Sequence, residues 1–275
     1  MNFIKSHPVL AYYVITFVIS CAAFVMAVGG PGGIPGTPES INQLMLMAIL
    51  GLLAGPSVAG LLTTGLVNGK AGYRDFLSRL LKWRVGIRWY AIALLTAPLL
   101  FTTVLLSLSL LSPTFLPGIF TTSDRAGLLL FGLIVGLMAG FFEEIGWTGF
   151  AIPNIRKRYS VLATGLIVGL LWAAWHMLPA LWFSGASSGT LSLTSYLLDP
   201  FLFLVMFRVL MVWVYDRTRS LLLGMLMHVS LTSSTRIFGP IAGFAGVNLM
   251  AFDITWFTAM CIIVAVAIRG GKGKK

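Results

Sequence analysis

Acidic residues are scarce in this chain. Eight Asp and Glu stand against nineteen Lys and Arg among 275 residues, and charged residues of all kinds make up only 10%. A soluble domain carries about a quarter charged residues and interrupts its apolar runs. Cysteine is equally rare: Cys21 and Cys261 both fall inside apolar stretches, which gives no disulfide framework. Neither a Cys-x-x-Cys pair nor a His-Glu-x-x-His motif occurs, so the familiar local zinc signatures are missing. The apolar runs also lack the period-two alternation that membrane barrel strands would show.

What the chain has instead is apolar length. Hydrophobic residues make up 58% and the mean hydropathy is +0.94. Runs of roughly 20 apolar residues recur, the length that crosses ~30 Å of hydrocarbon. With no water at that depth, the backbone must satisfy its own hydrogen bonds, and uninterrupted apolarity then means helices. The expectation is an all-α polytopic protein with eight spans, at 9–28, 41–67, 89–111, 127–152, 161–183, 196–215, 220–237 and 249–268, in one membrane domain over 1–275. The run from Val9 to Val28 exceeds the apolar core of a cleaved signal and reads as the first span. Residues 29–36 form a Gly/Pro-rich linker. Between Gly72 and Arg88, Phe76, Leu80, Leu81 and Trp83 alternate with Arg74, Arg79, Lys82 and Arg84. That pattern predicts one basic amphipathic helix lying on the membrane surface.

A net charge of +11 could suggest nucleic acid, but the positions of the charges say otherwise. Sixteen of the nineteen basic residues fall on one alternate set of loops: Lys5; Lys70, Arg74, Arg79, Lys82, Arg84 and Arg88; Arg156, Lys157 and Arg158; Arg217 and Arg219; Arg269, Lys272, Lys274 and Lys275. The opposite loops hold Arg125 and Arg236. Such an excess marks the cytoplasmic side, so a multi-pass protein of the cell membrane with both termini inside is predicted, with the lipid bilayer as its partner and no nucleic acid.

Against this apolar background a few residues stand out. Glu143 and Glu144 lie well inside the fourth span, His176 in the fifth, Arg208 in the sixth and His228 in the seventh, while the other acids read as loop or span-end residues. A charge at that depth costs several kcal/mol unless it faces a polar interior, so these groups must meet one another. Helix-to-helix hydrogen bonding alone is one account of them. Two glutamates and two histidines on three spans favour a functional site. Arg208 either pairs with a glutamate or snorkels to the surface, and the sequence leaves both open. Helical spacing puts Glu143, Trp147 and Phe150 on one face, Glu144 and Thr148 on the next, Trp172 with His176, and Gly224, His228 and Thr232 on a third stripe.

Three blocks carry a family resemblance: Glu143-Glu144-Ile-Gly-Trp-Thr-Gly-Phe150, Trp172-Ala-Ala-Trp-His176-Met-Leu-Pro179 and Leu226-Met-His228-Val-Ser-Leu-Thr232. Together they resemble the CAAX prenyl protease 2 and bacteriocin-processing family of intramembrane proteases, over about residues 40–235. Three positions depart from the family pattern. Thr148 stands where Arg is usual, Thr232 where Asn is usual, and Trp172 where Phe is common. Arg208 is a candidate to supply the charge that Thr148 lacks, and the Thr232 hydroxyl can still donate one hydrogen bond.

The resemblance implies hydrolysis of a peptide bond in a membrane-associated or prenylated protein or peptide by an activated water, with no metal. In that scheme Glu143 is the general base, His176 holds the same water, Glu144 orients or shares the proton, and His228 and Thr232 stabilise the oxyanion. Trp147, Thr148, Trp172 and Arg208 support them. A zinc ion on His176, His228 and Glu143 is the alternative, with three ligands and a water. Two other classes share the same residues. A proton-coupled transporter also sets Glu and His in mid-membrane, although no internal repeat is visible. A catalytically silent scaffold or bacteriocin-immunity protein would tolerate Thr148 and Thr232.

Overall fold

The computed structural model describes residues 2–185, 190–241, 243–244 and 246–270. Among these residues eight long apolar helices occur: α1 (Pro8–Ala27), α2 (Pro38–Leu80), α3 (Ile87–Ser109), α4 (Arg125–Gly146, continued to Ile155), α5 (Val161–Ser184), α6 (Thr190–Thr218), α7 (Leu221–Phe238) and α8 (Gly246–Gly270). Each is long and apolar enough to cross a membrane, and no strand occurs among the described residues. The all-α polytopic expectation holds. Lys272, Lys274 and Lys275 lie outside the described residues.

Local chemistry sets the helix ends. Thr37 and Ser40 form a reciprocal capping box ahead of α2. Asp124, Ser160 and Ser220 each accept an N–H of the first turn of α4, α5 and α7. The outer surface is lipid-like: Val18, Leu130, Ile262 and Val266 are all more than half exposed.

Association inside a bilayer cannot use hydrophobicity, since lipid is as apolar as leucine, so close backbone approach takes its place. Gly132, Gly136 and Gly140, one per turn of α4, lie against Ile237, Ser233 and Val229 of α7. Gly165 and Gly169 of α5 meet Val209 and Val205 of α6, and Gly55 of α2 meets Thr16 and Ser20 of α1. At the crossing of α2 and α4, a Cβ on Gly60 would lie 2.8 Å from the Gly146 Cα. Close by, the Ser57 hydroxyl donates to the Phe142 carbonyl at 2.6 Å. Further contacts join α6 to α8 and α3 to α7.

The surface helix differs from the expectation. A left-handed backbone at Gly69 (φ 57°), a conformation that suits glycine, breaks α2, and the second part runs only to Leu80. Residues 81–86 are not helical, and α3 begins at Ile87. Leu81, Trp83 and Ile87 remain 60–83% exposed on this turn. The Arg84 guanidinium lies 5.1 Å over the Trp83 ring. The amphipathic pattern is therefore divided between a short helix that ends at Leu80 and an irregular turn that leads to the next helix at Ile87.

Candidate active site

Glu143 and Glu144 are adjacent on α4, so their side chains diverge by about 100°. They enter two different environments. Glu144 is completely enclosed. Arg208 of α6 donates to both its oxygens, at 2.8 and 3.0 Å, and Nδ1 of His228 on α7 lies 2.7 Å from Oε1. The Thr148 hydroxyl donates to Oε2. Three side chains from three helices thus converge on one carboxylate. Arg208 takes the counter-ion role that Thr148 lacks, and snorkelling is ruled out because its side chain is fully buried.

Glu143 is 3% exposed and faces a cavity of about 660 Å³. Its Oε2 accepts two indole N–H groups, from Trp172 at 2.7 Å and Trp147 at 3.1 Å. Its Oε1 lies 3.8 Å from Nε2 of His228, beyond hydrogen-bond length. His176 lines the same cavity, with its Nδ1 2.9 Å from the Trp172 carbonyl. An Nδ1–H donated there leaves Nε2 as an acceptor. Thr232 also lines the cavity, one turn beyond His228.

Trp172 connects the two environments. Its N–H holds Glu143, and the Arg208 guanidinium lies 3.9 Å from the centre of its ring. This is a cation–π stack in a fully desolvated setting. The His228 ring meets Trp172 edge-on at 5.1 Å. The Trp172 and Arg208 side chains are thus used together, an indole having both the N–H and the broad face that a phenyl ring lacks.

The backbone below the glutamates is a π-turn, Trp147–Ala151, continued by Ile152–Ile155. The fourth helix thus continues to Ile155. A π-turn inside an α-helix is a common device at functional sites. Arg79 of α2 anchors it: Nη2 donates to the Gly149 carbonyl at 2.9 Å, and Nη1 to the Thr148 carbonyl at 3.4 Å and the Tyr215 hydroxyl at 3.2 Å.

All nine residues singled out in the sequence gather at the inner end of this cavity or in the sealed pocket beside it. The three candidate zinc ligands, His176, His228 and Glu143, line the cavity. Among the described residues, however, no three His, Cys, Asp or Glu side chains are disposed to hold a metal ion. Two of their polar atoms are already committed, Oε2 of Glu143 to the indoles and Nδ1 of His228 to Glu144.

Sequence reasoning missed four charged residues. Asp253, read as a span-end acid, is fully buried in α8 with no hydrogen bond to either oxygen among the described residues. Asp199 of α6 lies within its electrostatic reach and lines the cavity. Arg236, assigned to an outer loop, is in the last turn of α7 and lines the same cavity. Arg79, assigned to the surface, turns inward. Asp199, Asp253 and Arg236 stand near helix ends, where the sequence carries no signal that separates them from loop charges, and for Arg79 there was none either.

The comparisons agree with the motifs. Residues 125–233 match the family model of the Rce1-like type II CAAX prenyl endopeptidases. The chain is also similar to the CAAX prenyl protease 2 of Methanococcus maripaludis, at 26% identity over 232 residues that cover 82% of each chain. The family to which the three motifs point is therefore the one that the family model finds across α4 to α7, the Rce1-like type II CAAX prenyl endopeptidases.

Proposed function

We propose that this protein is an intramembrane endopeptidase that hydrolyses a peptide bond of a membrane-associated or prenylated, CAAX-type protein or peptide, using water activated by Glu143. The observation that carries this reading is the split between the two glutamates, one sealed among donors and one facing the cavity with Oε1 unengaged. A desolvated carboxylate held from behind by two N–H groups is well placed to act as a general base.

In the proposed reaction, water bound between Glu143 Oε1 and the His176 Nε2 gives a proton to Glu143. Its oxygen bonds to the scissile carbonyl carbon. The resulting oxyanion is held by the His228 Nε2–H and the Thr232 hydroxyl. Glu143 then passes the proton to the departing amine as the C–N bond breaks. Glu144, paired with Arg208, accepts the Nδ1–H of His228, which in this scheme is an imidazolium, and so turns its Nε2–H toward the cavity. No step requires a metal.

The test compares cleavage of a fluorogenic, prenylated CAAX peptide by purified wild type and Glu143→Gln, with and without a chelator. The expected result is a loss of at least about 10²-fold in the variant and no effect of the chelator. Equal cleavage by the variant would refute the role of Glu143, and loss of wild-type activity with chelator would install a metal in its place.

A further inference from the structure

We infer that the turn between α2 and α3 is a docking surface for the headgroups of anionic phospholipids. Residues 70–88 carry six basic side chains and one acid, Asp75. Arg79 pairs with that acid at 2.8 Å and reaches the carbonyls of the π-turn. The other five, Lys70, Arg74, Lys82, Arg84 and Arg88, are all exposed. Among the described residues none of these five lies within ion-pairing distance of a carboxylate. Like charges gathered on so short a stretch repel one another and draw in anions.

The neighbours of these cations single out a lipid anion. Leu77, Leu81, Trp83 and Ile87 are exposed between them. Ile87, Ala91, Leu94 and Leu95 share one exposed face of α3, so the apolar side of the turn runs directly into the outer wall of a span. A soluble anion has no use for such a surface, whereas a phospholipid brings a phosphate and acyl chains together. The turn is also held in shape. The Tyr90 hydroxyl donates to the Trp83 carbonyl at 2.6 Å, and the Ser220 hydroxyl, ahead of α7, donates to the Lys82 carbonyl at 2.7 Å. The Arg84 and Arg88 guanidinium groups each lie 5.1 Å over an indole, of Trp83 and Trp89 respectively. Indoles favour the headgroup level of a bilayer. A guanidinium stacked on one keeps its edge donors for phosphate oxygens. A zwitterionic headgroup carries the same phosphate beside a cation that opposes these residues, so the surface selects headgroups of net negative charge.

This inference does not depend on the peptidase reading, and its test needs no cleavage. The full-length protein is placed in bilayer nanodiscs of equimolar phosphatidylglycerol and phosphatidylcholine, with the acyl chains of one lipid or the other brominated. Bromine quenches nearby indoles, and subtracting the signal of Trp83→Phe isolates that of Trp83. Brominated phosphatidylglycerol is expected to quench Trp83 at least about threefold more strongly than brominated phosphatidylcholine, since each basic residue at the surface adds to the attraction. High salt should shrink that ratio. Lys82→Gln, Arg84→Gln and Arg88→Gln together should bring it close to one, whereas Lys157→Gln with Arg158→Gln, on another basic loop, should leave it unchanged. A ratio near one in wild type overturns the inference, and decides the matter alone should a variant not fold. A ratio that survives the triple variant also overturns it. So does one that falls as far with Lys157→Gln and Arg158→Gln, which would make the attraction a property of the whole basic face. Loss of the ratio on adding inorganic phosphate at constant ionic strength would assign these cations to a free anion instead of a lipid.

Discussion

Arg208 and Glu144, sixty-four residues apart in sequence, close a fully buried ion pair at 2.8 Å. Removing one partner of such a pair leaves a charge stranded where no water can reach it, at a cost of about 3–5 kcal/mol. Arg208→Met should therefore lower the unfolding midpoint in detergent and abolish cleavage. Adding Glu144→Gln to Arg208→Met should recover most of the midpoint, because it removes the stranded charge, but little of the activity. A midpoint unchanged by Arg208→Met would show that the pair does not hold the bundle.

Trp172 offers a finer dissection. Trp172→Phe keeps a ring face for Arg208 but removes the 2.7 Å hydrogen bond to Glu143, leaving Trp147 as the sole indole donor. A drop of roughly tenfold in kcat is expected for one lost bond to a charged group. Trp172→Leu also removes the face under Arg208, and should cost more in both kcat and thermal stability. Identical behaviour of the two variants would mean that the Arg208 stack contributes nothing.

Arg79 touches no atom of the reacting system, yet it holds the carbonyls of Thr148 and Gly149. Arg79→Met should lower kcat about tenfold with KM little changed, since it loosens the turn that aims the Thr148 hydroxyl at Glu144. Tyr215→Phe, which removes one of the acceptors of Arg79, should show a weaker version of the same split. A change confined to KM would place Arg79 in substrate capture instead.

The orientation expected from the basic loops is open to direct labelling. In a Cys21→Ala, Cys261→Ala background, Thr122→Cys should react with a membrane-impermeant maleimide on intact cells. Arg158→Cys should react only after the membrane is permeabilised. The reverse pattern would invert the topology and put the basic loops outside.

The helices were legible because apolar length is the one property a span cannot disguise. The glutamates and histidines were legible for the complementary reason, that a charge within such a length needs a partner. Rotation about each helix axis was not legible. Arg208 could have pointed to the interface or to Glu144, and only packing against Trp172 decides between them. Asp199, Asp253 and Arg236 lie near helix ends, where sequence cannot distinguish water from a protein-walled cavity. Arg79 was hidden more deeply, because its acceptors are carbonyls gathered at a π-turn that no local residue pattern announces.

Glu143 and Glu144 are neighbours on one continuous helix, whereas His176, Arg208 and His228 arrive from three others. The spacing of the two acids is therefore inherited from the covalent chain and survives any sliding or tilting of the bundle. The spacing from acids to bases has no such guarantee. Any lipid, inhibitor or neighbouring protein that silences this site without touching it has to displace the histidine-bearing helices, so α5 and α7 are where its influence should be sought.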